Sequence, residues 1–471
     1  MIALRDYQEE WIAGLKRAMR HHRRVLGVMP TGSGKTICFA SIAHGAMRKK
    51  KRVLILVHRG LILDQISAAL EAWDVPHGRI SPGWPPSTHP VQIGMIQTVA
   101  RRMDRYPAPD LIIPDEAHHC VGPTYEKVLA AYPAAFVMGV TATPERLDGR
   151  GLGAQFQAMV LGPEIPDLIA RGYLADYEYF APPLVADLSA VPIVAGDYAR
   201  GALGDAMDKP KITGSAVEHY TRYAPGRPGV WFCTSIAHAE HVAGEFQAAG
   251  YSAASIDGSM SEIERRRRLH GLADGSLQVL TSCDLIGEGV DVPAVSVIGH
   301  LRPTKSLAMH KQFEGRGLRL KPDGGRAIIF DHVGNSALHG RPRTLHPWTL
   351  DGRRRKPQAP PPVKQCLACY RIFDRDEKVE CADPQRGCLA QEREAAPSLG
   401  RQVEEVAGEL VQVSDQPAWA GGASLVLASG EEYTDLVRRA RTMEQLREIA
   451  RARGYKRGWV KHILKSREAA R

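Results

Sequence analysis

The sequence predicts an α/β protein with two tandem doubly wound parallel sheets, a small cysteine-bearing module and a C-terminal helical element. Three observations carry this. Between residues 25 and 143 the short apolar runs VLGVM, VLILV, VQIGM, LIIPDEA and FVMGVTA alternate with helix-length stretches, the rhythm of parallel strands joined by crossover helices. The rhythm returns from Gly229 to Asp331 in GVWFC, AASID, LQVLTS, VSVIGH and RAIIFD. At 471 residues the chain has room for two such domains plus accessories.

Taken in order, residues 1–160 form the first sheet domain and 161–345 the second. The stretch from about Leu161 to Tyr223 is rich in Pro and Gly and serves as the connection and the first elements of domain two. Residues 346–364 form a basic, Pro-rich linker, extended rather than packed. Residues 365–390 hold clustered cysteines, and 391–471 end in a basic helical pattern. Hydrophobic content of 44% and charged content of 24% are ordinary for a globular chain. No apolar run approaches the roughly 18 to 20 residues of a membrane span, and the N-terminus carries no export signal. These features predict a cytoplasmic protein without a membrane partner.

The chemistry begins at Met29 to Thr36, MPTGSGKT. An apolar strand precedes it and a helix follows, the context in which backbone N–H groups and a helix N-terminus cradle phosphates. Thr31, Gly32, Ser33, Gly34, Lys35 and Thr36 are therefore the candidate ATP-binding residues. Gly32 and Gly34 allow the tight backbone, Lys35 neutralises the β and γ phosphates, and Thr36 ligates Mg²⁺. Asp115 and Glu116, in LIIPDEAHH, end a neighbouring apolar run. Adjacent carboxylates there suit nucleotide hydrolysis, one holding the metal and the other polarising the attacking water.

In their order, MPTGSGKT, PDEAHH, VTATPERLDG, CDLIGEGVDVP and QFEGRGLR resemble motifs I, II, III, V and VI of the superfamily 2 helicases of DEAD/DEAH-box type. The resemblance covers roughly residues 1 to 335 and extends to phage and bacterial helicases akin to restriction-enzyme motors. It implies two RecA-like domains and removes the objection that Met29 stands where Gly is usual. LRDYQ resembles the glutamine motif, which implies that Gln8, helped by Arg5, recognises adenine. By the same carry-over Asp115 holds the metal, Glu116 is the catalytic base, and His118, Thr141 and Thr143 couple the nucleotide to motion. Gly289 and Asp291 approach the nucleotide from the second domain, where Gln312, Arg316 and Arg319 complete the site, either arginine being a plausible finger. Nucleic-acid contacts are implied for His58, Arg59, Thr98, Thr281 and Ser282. His119 is left as a core or solvated histidine, and the run ERRRRL as one charged helix face.

Cys366, Cys369, Cys381 and Cys388 have the spacing C-x₂-C-x₁₁-C-x₆-C. Four thiolates on two turns fit a structural Zn²⁺ site, and the alternative is a metal-free small domain. The net charge of +10 is concentrated at the end: residues 437–471 carry twelve Lys/Arg against three Glu. A polyanionic partner follows, because basic groups near phosphates release counterions. Tyr455 and Trp459 flank these basic residues and either pack or stack on bases.

The expectation is an ATP- and Mg²⁺-dependent DNA helicase or translocase, with DNA favoured over RNA and DNA-processing proteins as further partners. The alternatives are a duplex translocase that does not separate strands, an RNA helicase and an ATP-gated clamp.

Overall fold

The computed structural model describes residues 3–145, 151–181, 192–194, 197–198, 210–283, 295–351, 363–365, 372–374 and 411–413. The helices are α1 (Asp6–Ala18), α2 (Lys35–Arg48), α3 (Gly60–Glu71), α4 (Ile96–Arg102), α5 (Pro123–Ala131), α6 (Ile165–Ala170), α7 (Pro210–Tyr223), α8 (Ile236–Ala248), α9 (Glu262–Asp274), α10 (Leu307–Gly317) and α11 (Asn335–His339). The first sheet contains β1 (Arg24–Val28), β2 (Val53–Val57), β3 (His77–Ile80), β4 (Val91–Met95), β5 (Leu111–Pro114), β6 (Phe136–Thr141) and β7 (Ala158–Leu161). Its order is β3-β4-β2-β5-β6-β1-β7, parallel throughout.

Next in the chain come β8 (Tyr177–Ala181), a strand of the second sheet, and a small antiparallel pair, β9 (Ile193–Val194) and β10 (Asp197–Tyr198). The second sheet adds β11 (Gly229–Phe232), β12 (Ala253–Ile256), β13 (Val279–Ser282), β14 (Val297–His300) and β15 (Ala327–Asp331). After these come β16 (Val363–Gln365), paired with β17 (Ile372–Asp374), and β18 (Val411–Val413). The order β12-β13-β11-β14-β15-β8-β18 is parallel except where β18 lies antiparallel on β8.

Every apolar run read from the sequence is a strand, and the central ones are buried along their whole length, as in β2 and β5. Helices cover both faces, so these strands are continuously apolar rather than alternating. The edge strands β3 and β7 escape that signature. HGRI alternates half-buried and buried residues, and AMVL ends on exposed Leu161.

Glycines let the large side chains in. A Cβ at Gly27 would lie 2.4 Å from Trp11 of α1, and one at Gly299 would lie 1.9 Å from Trp231, whose ring stacks on Phe330. In the second domain α8, α9 and α10 start on Ser235, Ser261 and Ser306, each hydroxyl accepting a backbone N–H of the first turn, the preferred N-cap arrangement.

The ERRRRL run lies in α9, where Arg267 and Arg268 pair with Glu264. Arg266 pairs with Glu262 and reaches across to Asp64 of α3, which also holds Arg79. It is a charged face, and one of its residues ties the two halves together. Among the described residues no helix is long and apolar enough to cross a membrane.

Candidate nucleotide site between the two sheets

The loop from Met29 to Gly34 connects β1 to α2. Gly32 (φ +86°) and Gly34 (φ +82°) adopt the left-handed conformation that side chains disfavour. Gly34 also has no room for a Cβ, which would sit 2.5 Å from Gln8 Nε2. Gln8 and Tyr7 of α1 both donate to the Ser33 carbonyl, at 3.0 and 2.8 Å, while the Ser33 hydroxyl donates to the Pro30 carbonyl. Arg5 stands beside them, bonding the Tyr7 hydroxyl and stacking on Tyr173. Met29 is fully buried against Gly162, so its position is one of packing. Lys35 folds back on the loop, its Nζ 3.2 Å from the Met29 carbonyl and 3.3 Å from that of Pro30. Thr36 follows in the first turn of α2.

Asp115 and Glu116 leave the end of β5 beside this loop, both buried. Glu116 has φ +48° and ψ +58°, a strained conformation for a side chain of this size. Burial raises the Asp115 carboxyl to about 7, and the Glu116 charge adds to the rise, while Lys35 opposes it. Burial lowers the Lys35 ammonium; Glu116 and Asp115 work against that, and Arg316 and Arg319 work with it. These five charged groups thus share one electrostatic field. A divalent cation fits such a paired carboxylate site, because it would offset the burial and the neighbouring Glu116 charge that push the Asp115 carboxyl upward.

His118 links the acidic pair to the next strand. Its Nδ1 lies 3.4 Å from Glu116 Oε2 and 3.1 Å from the Thr141 hydroxyl. Thr141 Oγ1 in turn donates to the Thr143 carbonyl and accepts the Thr143 N–H. His119, read as a bystander, sits between His118 (ring centroids 4.2 Å) and His58 (4.7 Å). The signal for it was its adjacency to His118 in DEAHH. Arg59, next to His58, occupies the position before the first turn of α3.

The second sheet contributes α10, which lies directly on the loop. A Cβ at Gly315 would be 2.5 Å from Thr31 Cβ, and one at Gly32 would be 3.6 Å from the Gly315 carbonyl and 3.7 Å from Arg319 Cγ. Gln312 and Arg316 are buried in the same helix, and burial lowers the Arg319 guanidinium to about 10.

Three residues expected at the nucleic acid are buried in this structure. Thr98 is buried in α4, and Ser282 is buried at the end of β13. Thr281 is also buried, and its hydroxyl donates to the Ala239 carbonyl at 2.6 Å. The parallel sheet takes both strand faces into the core, which a polar residue in an apolar run does not reveal. Gly289, Asp291, the four clustered cysteines and the basic C-terminal segment lie outside the described residues.

Known proteins match this architecture. Residues 1–146 match the family model of the type III restriction enzyme res subunit, and residues 213–321 match the helicase conserved C-terminal domain. A 51.5 kDa protein of a Lactococcus phage is 33% identical over 354 residues, covering 74% of this chain and 75% of its own. IRC3 of Saccharomyces cerevisiae, assigned by name to the ATP-dependent helicases, is 29% identical over 71% of this chain, which spans 52% of the yeast protein. Among solved structures, a fragment assigned as the HsdR subunit of a type I restriction enzyme from Vibrio vulnificus has a TM-score of 0.59 at 21% identity. That match covers 75% of this chain and 68% of the other. The type ISP restriction-modification enzyme LlaBIII, solved bound to DNA, has a TM-score of 0.52 at 16% identity, covering 70% and 28%. The chain belongs to the superfamily 2 helicases related to restriction-enzyme motor subunits. Membership places it among ATP-hydrolysing helicases and translocases that act on nucleic acid.

Proposed function

We propose that this chain couples ATP hydrolysis at the seam between its two sheets to movement along DNA, as a helicase. The observation that carries the reading is the contact of α10 with the Thr31 side chain and with Gly32, because it makes the site a composite of both halves. Thr31, Ser33, Lys35 and Thr36 would hold the phosphates, with Arg5 and Gln8 at the base. Glu116 would orient and deprotonate the attacking water, and Gln312, Arg316 and Arg319 would meet the γ phosphate. Mg²⁺, held by Thr36 and Asp115, would supply charge neutralisation when bound.

Loss of the γ phosphate would remove the contacts that favour closure, so hydrolysis would open the seam. The path from Glu116 through His118 to Thr141 and Thr143 would carry the nucleotide state toward the strand, with His58 and Arg59 at its outer end. The restriction-enzyme family match favours DNA over RNA. Cys366, Cys369, Cys381 and Cys388 supply a plausible ligand set for one structural Zn²⁺ ion, and the basic C-terminal segment offers charge for phosphates.

The test is the ATPase rate against single-stranded, duplex and forked DNA and against RNA, with strand- and triplex-displacement assays on the same preparation. Stimulation by DNA with strand displacement is expected. Triplex displacement without strand separation would select a duplex translocase. Stimulation by RNA alone, or a slow rate indifferent to nucleic acid and to Glu116→Gln, would overturn the reading.

A further inference from the structure

Behind α10, away from the nucleotide loop, lies a polar cluster that the motor mechanism does not use. His300 ends β14, while His310 and Glu314 stand one helical turn apart on α10, and all three are buried to within 1% of complete. Helical spacing puts His310 and Glu314 on the face that meets the second sheet, where a Cβ at Gly317 would press on Ile298 of β14. Gln312, Gly315 and Arg316 fall on the opposite face.

The polar atoms of this cluster are poorly satisfied. Both ring nitrogens of His300 and Nδ1 of His310 lack a hydrogen-bond partner, and the Glu314 oxygens have the Tyr179 hydroxyl and His310 Nε2 as their polar neighbours. Glu314 Oε1 lies 3.1 Å from His310 Nε2 in ion-pair range, but that nitrogen also lies 3.1 Å from the Gly340 carbonyl. Tyr179, whose hydroxyl also lies near Glu314, donates to Asp331 at 3.3 Å. Asp331 is fully committed, accepting the N–H groups of Val333, Asn335 and Ser336. Buried polar atoms in folded proteins are almost always paired, and a group of them left unpaired calls for a missing partner.

The three side chains each offer one ligand atom, and these atoms lie within 4.8 Å of one another. We propose that His300, His310 and Glu314 form a transition-metal site, for which Zn²⁺ is the fitting ion. Two imidazoles and a carboxylate are a borderline donor set that suits Zn²⁺, whereas Mg²⁺ and Ca²⁺ take oxygen. Metal–ligand bonds of about 2.0–2.2 Å would draw the three groups inward and leave a fourth position for water. The ion would pin α10 to β14 and so set the position of Gln312 and Arg316 without touching nucleotide. The proposal does not depend on the DNA-motor reading.

The test uses the full chain, stripped with chelator, reloaded with Zn²⁺ and dialysed, with zinc counted by mass spectrometry. The clustered cysteines contribute equally in every variant, so the readout is a difference. Wild type should retain one more zinc per chain than Glu314→Gln and His300→Asn. Cobalt loaded in its place should give a visible band in wild type that Glu314→Gln loses while any thiolate absorption stays. Zinc should raise the wild-type melting temperature by roughly 5 °C relative to the stripped protein. Glu314→Leu guards against misfolding: it should melt at or above stripped wild type and lose the zinc-dependent rise. Equal zinc counts in wild type and variants, or zinc that leaves on dialysis as an adventitious ion only, would overturn the site.

Discussion

Gly315→Ala tests the composite site most directly, because two effects of one methyl group point in opposite directions. Gly315 lies within α10 with an ordinary helical φ, so alanine there should favour the helix by about 1 kcal/mol. The added Cβ, however, would sit 2.5 Å from Thr31 Cβ, 2.9 Å from its Cγ2 and 3.3 Å from its Oγ1. Carbon atoms rest at about 3.5–4.0 Å, so the seam must open by roughly 1 Å. A shift of that size at a reacting centre costs on the order of 10²-fold in rate, or about 2.7 kcal/mol of barrier. The expected outcome is a kcat near one hundredth of wild type, with a melting temperature equal to or above wild type and ATP affinity changed by less than about threefold. Adding Thr31→Gly removes all three opposing atoms and should recover at least tenfold of the loss. The measurements are steady-state ATPase with saturating nucleic acid, nucleotide binding by calorimetry and thermal melts. Wild-type kcat in a chain that folds normally would refute the reasoning, as would a loss of activity matched by a loss of stability.

Three further outcomes follow from the same geometry. Glu116→Gln should abolish turnover by on the order of 10³-fold while leaving nucleotide binding measurable in the same calorimeter, since the amide keeps the side-chain shape but cannot take a proton. Gly299→Ala should lower stability by roughly 1–3 kcal/mol in urea denaturation, because its Cβ would overlap the buried Trp231 ring and overpacking costs about that much; an unchanged midpoint would mean the ring relocates freely. In metal-free protein, burial raises the carboxyls of Asp115 and Glu164 to about 7 and that of Glu314 to about 8. The folded chain then holds protons that the unfolded chain has released, a contribution present at low pH and lost as pH rises through those values. Burial lowers His300 and His310 to about 4 and His332 to about 3, which acts in the opposite sense but is complete near pH 6.5; Lys321, lowered to about 8, acts only above that pH. Stability should therefore fall between pH 6.5 and 8, less steeply in Asp115→Asn, and a flat denaturation midpoint across that window would exclude burial as the dominant cause.

The strands at the centre of each sheet were legible in the sequence because two-sided burial leaves nothing but apolar residues, as VLILV in β2 displays. The edges were not, because β3 needs only half its residues apolar and the segment HGRI carries a glycine and an arginine. The loop from Met29 to Thr36 and the acidic pair could be read because their chemistry dictates residue type at fixed spacing. Thr281 shows where that reasoning needs the fold. A small hydroxyl at a strand end can face a groove or satisfy a backbone carbonyl, and only the packing of α8 against β13 reveals that Thr281 bonds Ala239. The relay through His118 depended in the same way on β5 and β6 being neighbours, which composition does not encode.

The least legible feature is the double use of α10. Read as a motif, QFEGRGLR offers Gln312, Arg316 and Arg319 to a nucleotide and says nothing of Glu314 or of His310 just before it. Helical geometry sorts them differently. Gly315 must be small because Thr31 lies against it, and Gly317 must be small because Ile298 does. His310 and Glu314 face the second sheet at full burial, where a leucine at either position would cost less to bury. A helix optimised only for packing and for the nucleotide has no reason to carry a carboxyl group that burial drives up to about 8. The two faces also separate experimentally. A change at Gly315 should act on turnover and leave metal content alone, whereas a change at Glu314 should act on metal content and reach turnover only through the position of the helix.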